Sequence, residues 1–588
     1  MSGISGVFES DRGPSPEASC TVWADARLDY RDELCRALGP EANDAADDAE
    51  LILHAYMKWG QACTDHLLGD FAFAIHDPRS NTLFCARDHF GLRPFYYHFS
   101  KSRLVFASDA RLILSDQHVP FAISEARIAD FLVPELEWID YTSTFYNDVF
   151  RLPPGHTLIV NKAGPRVSEY WQPEPGPEPG AMSDDDWRDG FLEVFSRAID
   201  ERLRSTHGPT GSMLSGGLDS GSVVAVANGL LRDRGESLHT WSAAQNESVE
   251  CDESRRIRAT LRHVGIDGTT LEPATIGNLD AELVESIEEP FDAEYLFLKA
   301  IYLSAARAGM HALLDGGGGD VLLGEGSYLT RLLRQGRLAT AFGEIIKSKR
   351  YWSSPLVPEV LSHAGKALSP EFVKSWIRPY RLRTAGRGFV NASIIHPEFA
   401  RSVDIESRCK RMSDMFPVDW TSYERERVRK IRPNVTAGRE RYARLAASAG
   451  IEARDPFLDR RVVDFCSRLP GRMLLRNGWP KWILREAMAG ILPDEVRWGG
   501  GKPHIGWVYN QAFLRRQLAG GELRLEQLSE ALGPYVDARK LAHAWRNFAQ
   551  SGDFELVHSA HILSLWLRQN ATRPVVNDQG FSYSSGTV

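Results

Sequence analysis

Nine residues, LSGGLDSGS at 214–222, hold three glycines, three serines and a single acid, Asp219, and almost nothing a hydrophobic core would use. Glycine inside regular structure costs about 0.5–1 kcal/mol relative to alanine, so such a run implies a turn or a ligand. Before it, Met213-Leu214 reads as the close of a short strand; after it, Val223-Val224-Ala225-Val226-Ala227 reads as the opening of a buried helix. A strand, a Gly/Ser loop and a helix start together make an anion cradle, because free backbone N–H groups and the positive end of the helix dipole face one point. The loop is therefore built for phosphate. A Walker A loop is absent, since Lys502 is followed by Pro503 rather than by serine or threonine, and γ-phosphate transfer is not favoured.

At 588 residues the chain is too long for one core. The stretch QPEPGPEPGAMSDDD (172–186) is too rich in proline, glycine and acid to pack, and it ends in helix-start chemistry at Ser183 and Asp184–Asp186. It divides the chain into residues 1–172, a linker at 173–182, a second domain at 183–570 and a flexible tail at 571–588. The first domain reads as strand-rich, with short aromatic runs at 70–77, 82–88, 94–99 and 103–109. The second opens on a helix carrying Trp187, Phe191, Val194, Phe195 and Ala198 at helical spacing, then mixes strand-like and helical segments. The fold class is α/β with a helical elaboration, behind an α+β N-terminal domain. A net charge of −9 argues against general nucleic-acid binding, and the basic runs at 378–388 and 425–432 read as solvated helix faces. Seven scattered cysteines without a CxxC indicate neither zinc nor a disulfide framework. With no signal peptide and no run of 18 apolar residues, the chain reads as cytoplasmic, with no nucleic acid and no membrane among its partners.

Along nearly its whole length the chain resembles the class B asparagine synthetase family. The N-terminal half carries MSGISGVF, ARDHFGLRPFYYHF (86–99), FASDARLIL (106–114) and RLPPGH (151–156). The C-terminal half carries LSGGLDSGS, LLDGGGGDVLLGEG (313–326), EARDPFLDRRVVDFCSRLP (452–470), KWILREAMAGILPDEVRW (481–498) and GGGKPHIGW (499–507), in the family's order. The resemblance implies an Ntn-hydrolase-type glutaminase sandwich followed by a PP-loop ATP-pyrophosphatase domain, which cuts ATP between its α and β phosphates. Leu214, Ser215, Gly216, Gly217 and Ser220, with Asp315 and Gly316, would then bind the nucleotide and the leaving pyrophosphate. Asp219 is acidic where phosphate should repel it, so a cation belongs between them, and Mg²⁺ is the natural one. The resemblance makes Asp320 its second ligand. Lys502 stands where the family keeps a lysine against the phosphates and the developing oxyanion, and Lys481 is a second cation for the phosphates. The alternatives are a helix-capping role for Asp219 and ordinary surface positions for the two lysines.

Departures from the family narrow the reaction. A working glutaminase needs an N-terminal cysteine, and position 2 is Ser2; where its oxyanion hole has Asn-Gly, this chain has Asp25-Ala26. An acid would repel an oxyanion, so the first domain reads as a degenerate glutaminase. Without ammonia, the amine comes with the substrate, as in the ring-closing members of the family. Gly317 stands where asparagine synthetases keep a glutamate and β-lactam synthetases a tyrosine, and Val321 replaces a second acid. A glycine leaves room for a bulky peptide, or it serves only a tight turn. The pattern resembles lasso-peptide cyclases, which use ATP and Mg²⁺ to join an Asp or Glu side chain of a precursor peptide to the peptide's own N-terminal amine. A leader peptidase and a leader-binding module are the partners this implies. Other readings are a small-molecule cyclase of the β-lactam type, an ammonia-dependent asparagine synthetase and a non-catalytic scaffold.

Overall fold

In the computed structural model, the described residues are all except 1–2, 12–13, 16–17, 41–45, 176–181, 205–207, 245–250, 286, 350, 352–362, 366, 368–387, 416–437, 501–505, 572–584 and 588. The basic runs at 378–388 and 425–432 fall almost wholly outside them.

The N-terminal strands form two antiparallel sheets. One contains β1 (Ser5–Glu9), β5 (Tyr96–Ser100), β6 (Arg103–Ala107) and β7 (Phe150–Arg151) in the order β1-β6-β5-β7. The other runs β2-β3-β4-β8-β9, built from Thr21–Leu28, Gly69–Asp77, Thr82–Arg87, His156–Asn161 and Gly164–Glu169. Strand alternation sorts the side chains. Ala72 and Ala74 of β3 enter the core between the sheets with Phe95, Leu104 and Phe106. Phe71, Phe73 and Ile75 point the other way, against the helices Arg31–Leu38 and Asp48–Trp59. Both faces are covered, which is why β3 reads as an almost continuous apolar run.

The second domain is entered at Ser183, whose side chain accepts from the Asp186 amide in a capping box at the start of the helix Asp184–Leu203. Its core is a parallel sheet in the order β12-β11-β10-β13-β14, with β10 Thr210–Met213, β11 Thr240–Ala243, β12 Gly268–Leu271, β13 Ala312–Leu314 and β14 Glu452–Arg454. Adjacent residues again face opposite cores: Met213 and Leu313 join one cluster, Leu214 and Leu314 the other. The chain leaves β10 toward β11 on one side and returns as β13 on the other. Their carboxyl ends therefore flank the point where strand order reverses, the usual place for a crevice in such sheets.

Two expectations are corrected. The helix after the Gly/Ser loop begins at Leu218, not at Val223, so Asp219 lies inside its first turn. The tail is not wholly irregular: Ser585–Thr587 pairs antiparallel with Thr21–Trp23 on β2, an edge whose backbone groups are open to an added strand. All seven cysteines are free thiols. Among the described residues no helix is long and apolar enough to cross a membrane.

Candidate active site

The two loops at the reversal point, 214–217 after β10 and 315–318 after β13, build the site. Leu214 is buried and donates its N–H to the Trp241 carbonyl at 2.9 Å, which extends the β10–β11 pairing up to the loop. The Ser215 and Ser220 hydroxyls lie 2.9 Å apart, and the Ser215 amide donates to Ser220 Oγ at 3.1 Å. Gly216 has φ +73°, and a Cβ there would fall 2.6 Å from the Glu253 carbonyl oxygen, so a side chain is excluded twice over. Gly217 caps the helix Leu218–Asp233 without a side-chain hydrogen bond.

Asp219 meets Asp320, in the first turn of the helix Gly319–Leu322, through Lys481. The ammonium of Lys481 contacts an Asp219 oxygen and lies 2.6 Å from Asp320 Oδ1. Lys481 caps the helix Trp482–Ala487 in left-handed conformation, φ +56°. Burial alone would lower its pKa, but the two carboxylates overcome this and hold it above the usual lysine value, so it stays charged. It is a buried bridge rather than a surface lysine. The close approach of the loops needs glycine: a Cβ on Gly319 would fall 2.6 Å from Asp219 Cγ, and one on Gly316 2.9 Å from the Ser220 amide nitrogen. Two hard-oxygen carboxylates converging on one cation suit Mg²⁺, whose remaining ligands would be phosphate oxygens and water. Among the described residues no group of three or more His, Cys, Asp or Glu could hold a metal alone.

Asp315 lies in the wall, but its carboxylate is engaged from behind by Arg439, at 2.8 and 2.7 Å, and by the Gly317 amide at 2.8 Å. Asp455 takes the Gly318 amide at 2.6 Å. Burial and Asp315 raise the Asp455 carboxyl to about 7 against the pull of Arg439. This clamp fixes the 315–318 turn. A Cβ on Gly317 would approach Arg439 Nη1 to 3.0 Å, so that glycine serves the packed turn as well as keeping the wall bare. Val321 packs at the edge of the neighbouring core.

Between the loops opens a cavity of about 690 Å³, within the size range of ligand sites. Met213, Trp241 and Ala243 give it an apolar wall beside the phosphate loop, and Tyr295, Phe297 and Trp507 line another part. Lys502 is outside the described residues, although Gly499 and Gly506 on either side of it both line the cavity. Arg256, a residue the sequence did not single out, donates to the Gly500 carbonyl at 2.8 Å and so holds the near end of that segment. Glu253, also unanticipated, lines the cavity with its carboxyl raised to about 8 by burial. Their one sequence signal is the polar start of the helix Asp252–Val264, which does not reveal that it runs beside the phosphate loop.

In the N-terminal domain, Ser2 is outside the described residues. Asp25 sits on β2 with Arg93 Nη1 3.5 Å from its carboxylate. Burial raises its pKa against the pull of Arg93. Arg93 also pairs with Glu452 of β14, across the domain boundary.

A glutamine amidotransferase domain profile matches residues 29–171, and the asparagine synthase profile matches residues 190–568. The chain is 27% identical over 490 residues to glutamine-hydrolyzing asparagine synthetase 3 of Bacillus subtilis, covering 81% of this chain and 73% of that protein. It is 23% identical over 485 residues to asparagine synthetase 1 of the same organism, covering 80% and 72%. It is 24% identical over 505 residues to the amidase chry2 of Gibberella zeae, covering 76% and 71%. With well over half its length inside the synthase profile, the chain belongs to the asparagine synthase family and is an ATP-dependent enzyme that forms carbon–nitrogen bonds.

Proposed function

We propose that this ligase closes a ring within a peptide: it adenylates an Asp or Glu side chain of a precursor and joins it to the peptide's own N-terminal amine, as lasso-peptide cyclases do. One observation carries the reading. The phosphate side of the site is complete in Asp219, Asp320 and Lys481, while the position that handles the amine in asparagine synthetases is Gly317, facing a cavity of about 690 Å³. The altered β2 site supports it, since Asp25 held by Arg93 does not bind an oxyanion.

Met213, Trp241 and Ala243 would take the base of ATP, and the amides and hydroxyls of Ser215, Gly217 and Ser220 its phosphates. Asp219 and Asp320 would hold magnesium, which would neutralise phosphate charge when bound. The substrate carboxylate attacks the α-phosphorus, pyrophosphate leaves against Lys481 and Lys502, and the tethered amine displaces AMP. Holding the amine beside the acyl-adenylate supplies roughly 7–11 kcal/mol, which lessens the need for a strong dedicated base. A leader peptidase and a leader-binding module deliver the peptide, and the cytoplasm is where they meet it.

The test is ATP–pyrophosphate exchange, together with mass spectrometry on synthetic peptides having a free N-terminal amine and one internal Asp or Glu. Peptide-dependent exchange and loss of one water support the reading. Exchange driven instead by free aspartate, with asparagine formed from ammonium, overturns it in favour of an ammonia-dependent synthetase.

A further inference from the structure

Gly317 removes a proton acceptor from the usual place, which raises the question of what replaces it. Six carboxylates line the cavity: Asp219, Glu253, Glu294, Asp315, Asp320 and Glu555. Asp219 and Asp320 are committed to Lys481, and Asp315 to Arg439. Glu253 lies under the phosphate loop and is raised to about 8 by burial, so it holds its proton at neutral pH. Glu555 is exposed at the start of the helix Glu555–Gln569.

Glu294 is different. It sits on the turn Pro290–Tyr295, which is pinned from two sides: His558 Nε2 bonds the Ala293 carbonyl at 3.0 Å, and Asn510 Nδ2 donates to the Glu294 carbonyl at 2.9 Å. Among the described residues it pairs with Arg441, at 3.4 Å, and Arg441 is shared with Glu137, with which it makes the closer contact. The Glu294 side chain keeps 28% of its surface open. Glu294 and Gly317 line the same cavity with Tyr295 and Tyr442, and Arg441 lies 4.8 Å over the Tyr295 ring, next to Glu294.

We propose that Glu294 is the catalytic carboxylate that takes the proton from the attacking amine. This rests on the ring-closing reading above. As the amine nitrogen bonds the acyl carbon, its N–H proton passes to Glu294, and the acyl C–O bond breaks with its electron pair leaving on AMP. Glu294 then releases the proton to solvent. Burial raises its carboxyl to about 7, with Glu137, Asp292 and Glu555 adding to the rise and Arg441 opposing it. His558, facing the same turn, is pushed down to about 4 by burial and stays neutral. A base near 7 is half ionised at working pH, so closure should fall as the pH drops below about 7.

The experiment uses Glu294→Gln in the full chain with the synthetic peptides and three readouts: exchange, ring closure and trapping by hydroxylamine, a nucleophile already neutral at pH 7. The expected result is exchange and hydroxamate formation within threefold of the parent, closure lowered roughly 10²–10⁴-fold, and an acid limb of the closure–pH profile that now follows the peptide amine alone. Glu294→Asp should recover part of the closure. Closure within threefold in Glu294→Gln overturns the assignment and leaves the ring-closing reading intact. Loss of exchange as well assigns Glu294 a structural role through Arg441 and overturns it too. If no peptide supports exchange in the parent, both readings fall together.

Discussion

Lys481 bridges Asp219 and Asp320, so the cation-binding point already carries a positive charge that a magnesium–nucleotide complex has to share. Asp219→Asn removes one carboxylate from that point and leaves Lys481 with Asp320 alone. We expect the fold to persist, by circular dichroism, and peptide-dependent pyrophosphate exchange to be lost. Exchange at the parent rate would show that Asp219 serves only the first turn of its helix. Lys502 has its own prediction. If its ammonium meets the pyrophosphate and the developing oxyanion, Lys502→Ala lowers product about 10²–10³-fold, while ATP affinity by calorimetry, carried by loop amides, falls far less. Lys502→Arg should also fail, because a planar guanidinium does not replace a compact ammonium. Product within threefold of the parent would transfer the role to Lys481.

The strand–loop–helix element from Thr210 to Asp233 is where sequence was most informative. Its glycines, serines and single acid announce an anion cradle before any fold is known. Gly216→Ala tests that element: with φ +73° and a carbonyl 2.6 Å from the new Cβ, the loop has to move. A non-glycine residue held there costs of order 1–3 kcal/mol. We expect a few degrees' loss in Tm and a much larger loss of exchange; unchanged exchange would mean the cradle tolerates a different path. The strands of the first domain were legible for the same local reason, a short apolar run between turns. Lys481 as a bridge was not, because its partners come from the first turns of two other helices, and only the reversal of strand order at β10 and β13 brings them together. The Arg439–Asp315 clamp, Arg256 and Glu294 were equally silent. A buried arginine and a surface arginine look alike in sequence until packing decides between them.

At the scale of the molecule, the two domains meet through a shared apolar core, where Phe131 and Phe145 pack on Phe291 and Phe145 on Trp566, and through buried arginine–carboxylate pairs. Glu452 takes Arg93 and Arg27, and Glu440 takes Arg87 at 2.6 Å and Arg151 at 2.8 Å. Burial alone would raise both carboxyls, but the arginines overcome it and hold them below the ordinary glutamate value. A depressed carboxyl contributes stability that is fully present above the unfolded pKa, near 4.3–4.5, and is lost as the pH falls through the folded value. Tm should therefore be level at neutral pH and drop steeply below about pH 4. Glu452→Gln should cost about 3–5 kcal/mol at pH 7, because it strands buried guanidiniums without their partner. A variant melting within 2 °C of the parent would show that this boundary contributes little.

That seam has a consequence for taking the chain apart. Covalent continuity runs only through the proline-rich stretch at 173–182, whereas the charges that join the halves lie elsewhere. A protease site placed in that stretch should, once cut, give two polypeptides that still travel as one particle in gel filtration at neutral pH. Acidification, which protonates the carboxyls, should loosen that particle, while the apolar core shared by the halves and the pairing of Ser585–Thr587 with β2 still hold it. The N-terminal half, whatever became of its original chemistry, is bound to the ligase as a light chain is to a heavy one.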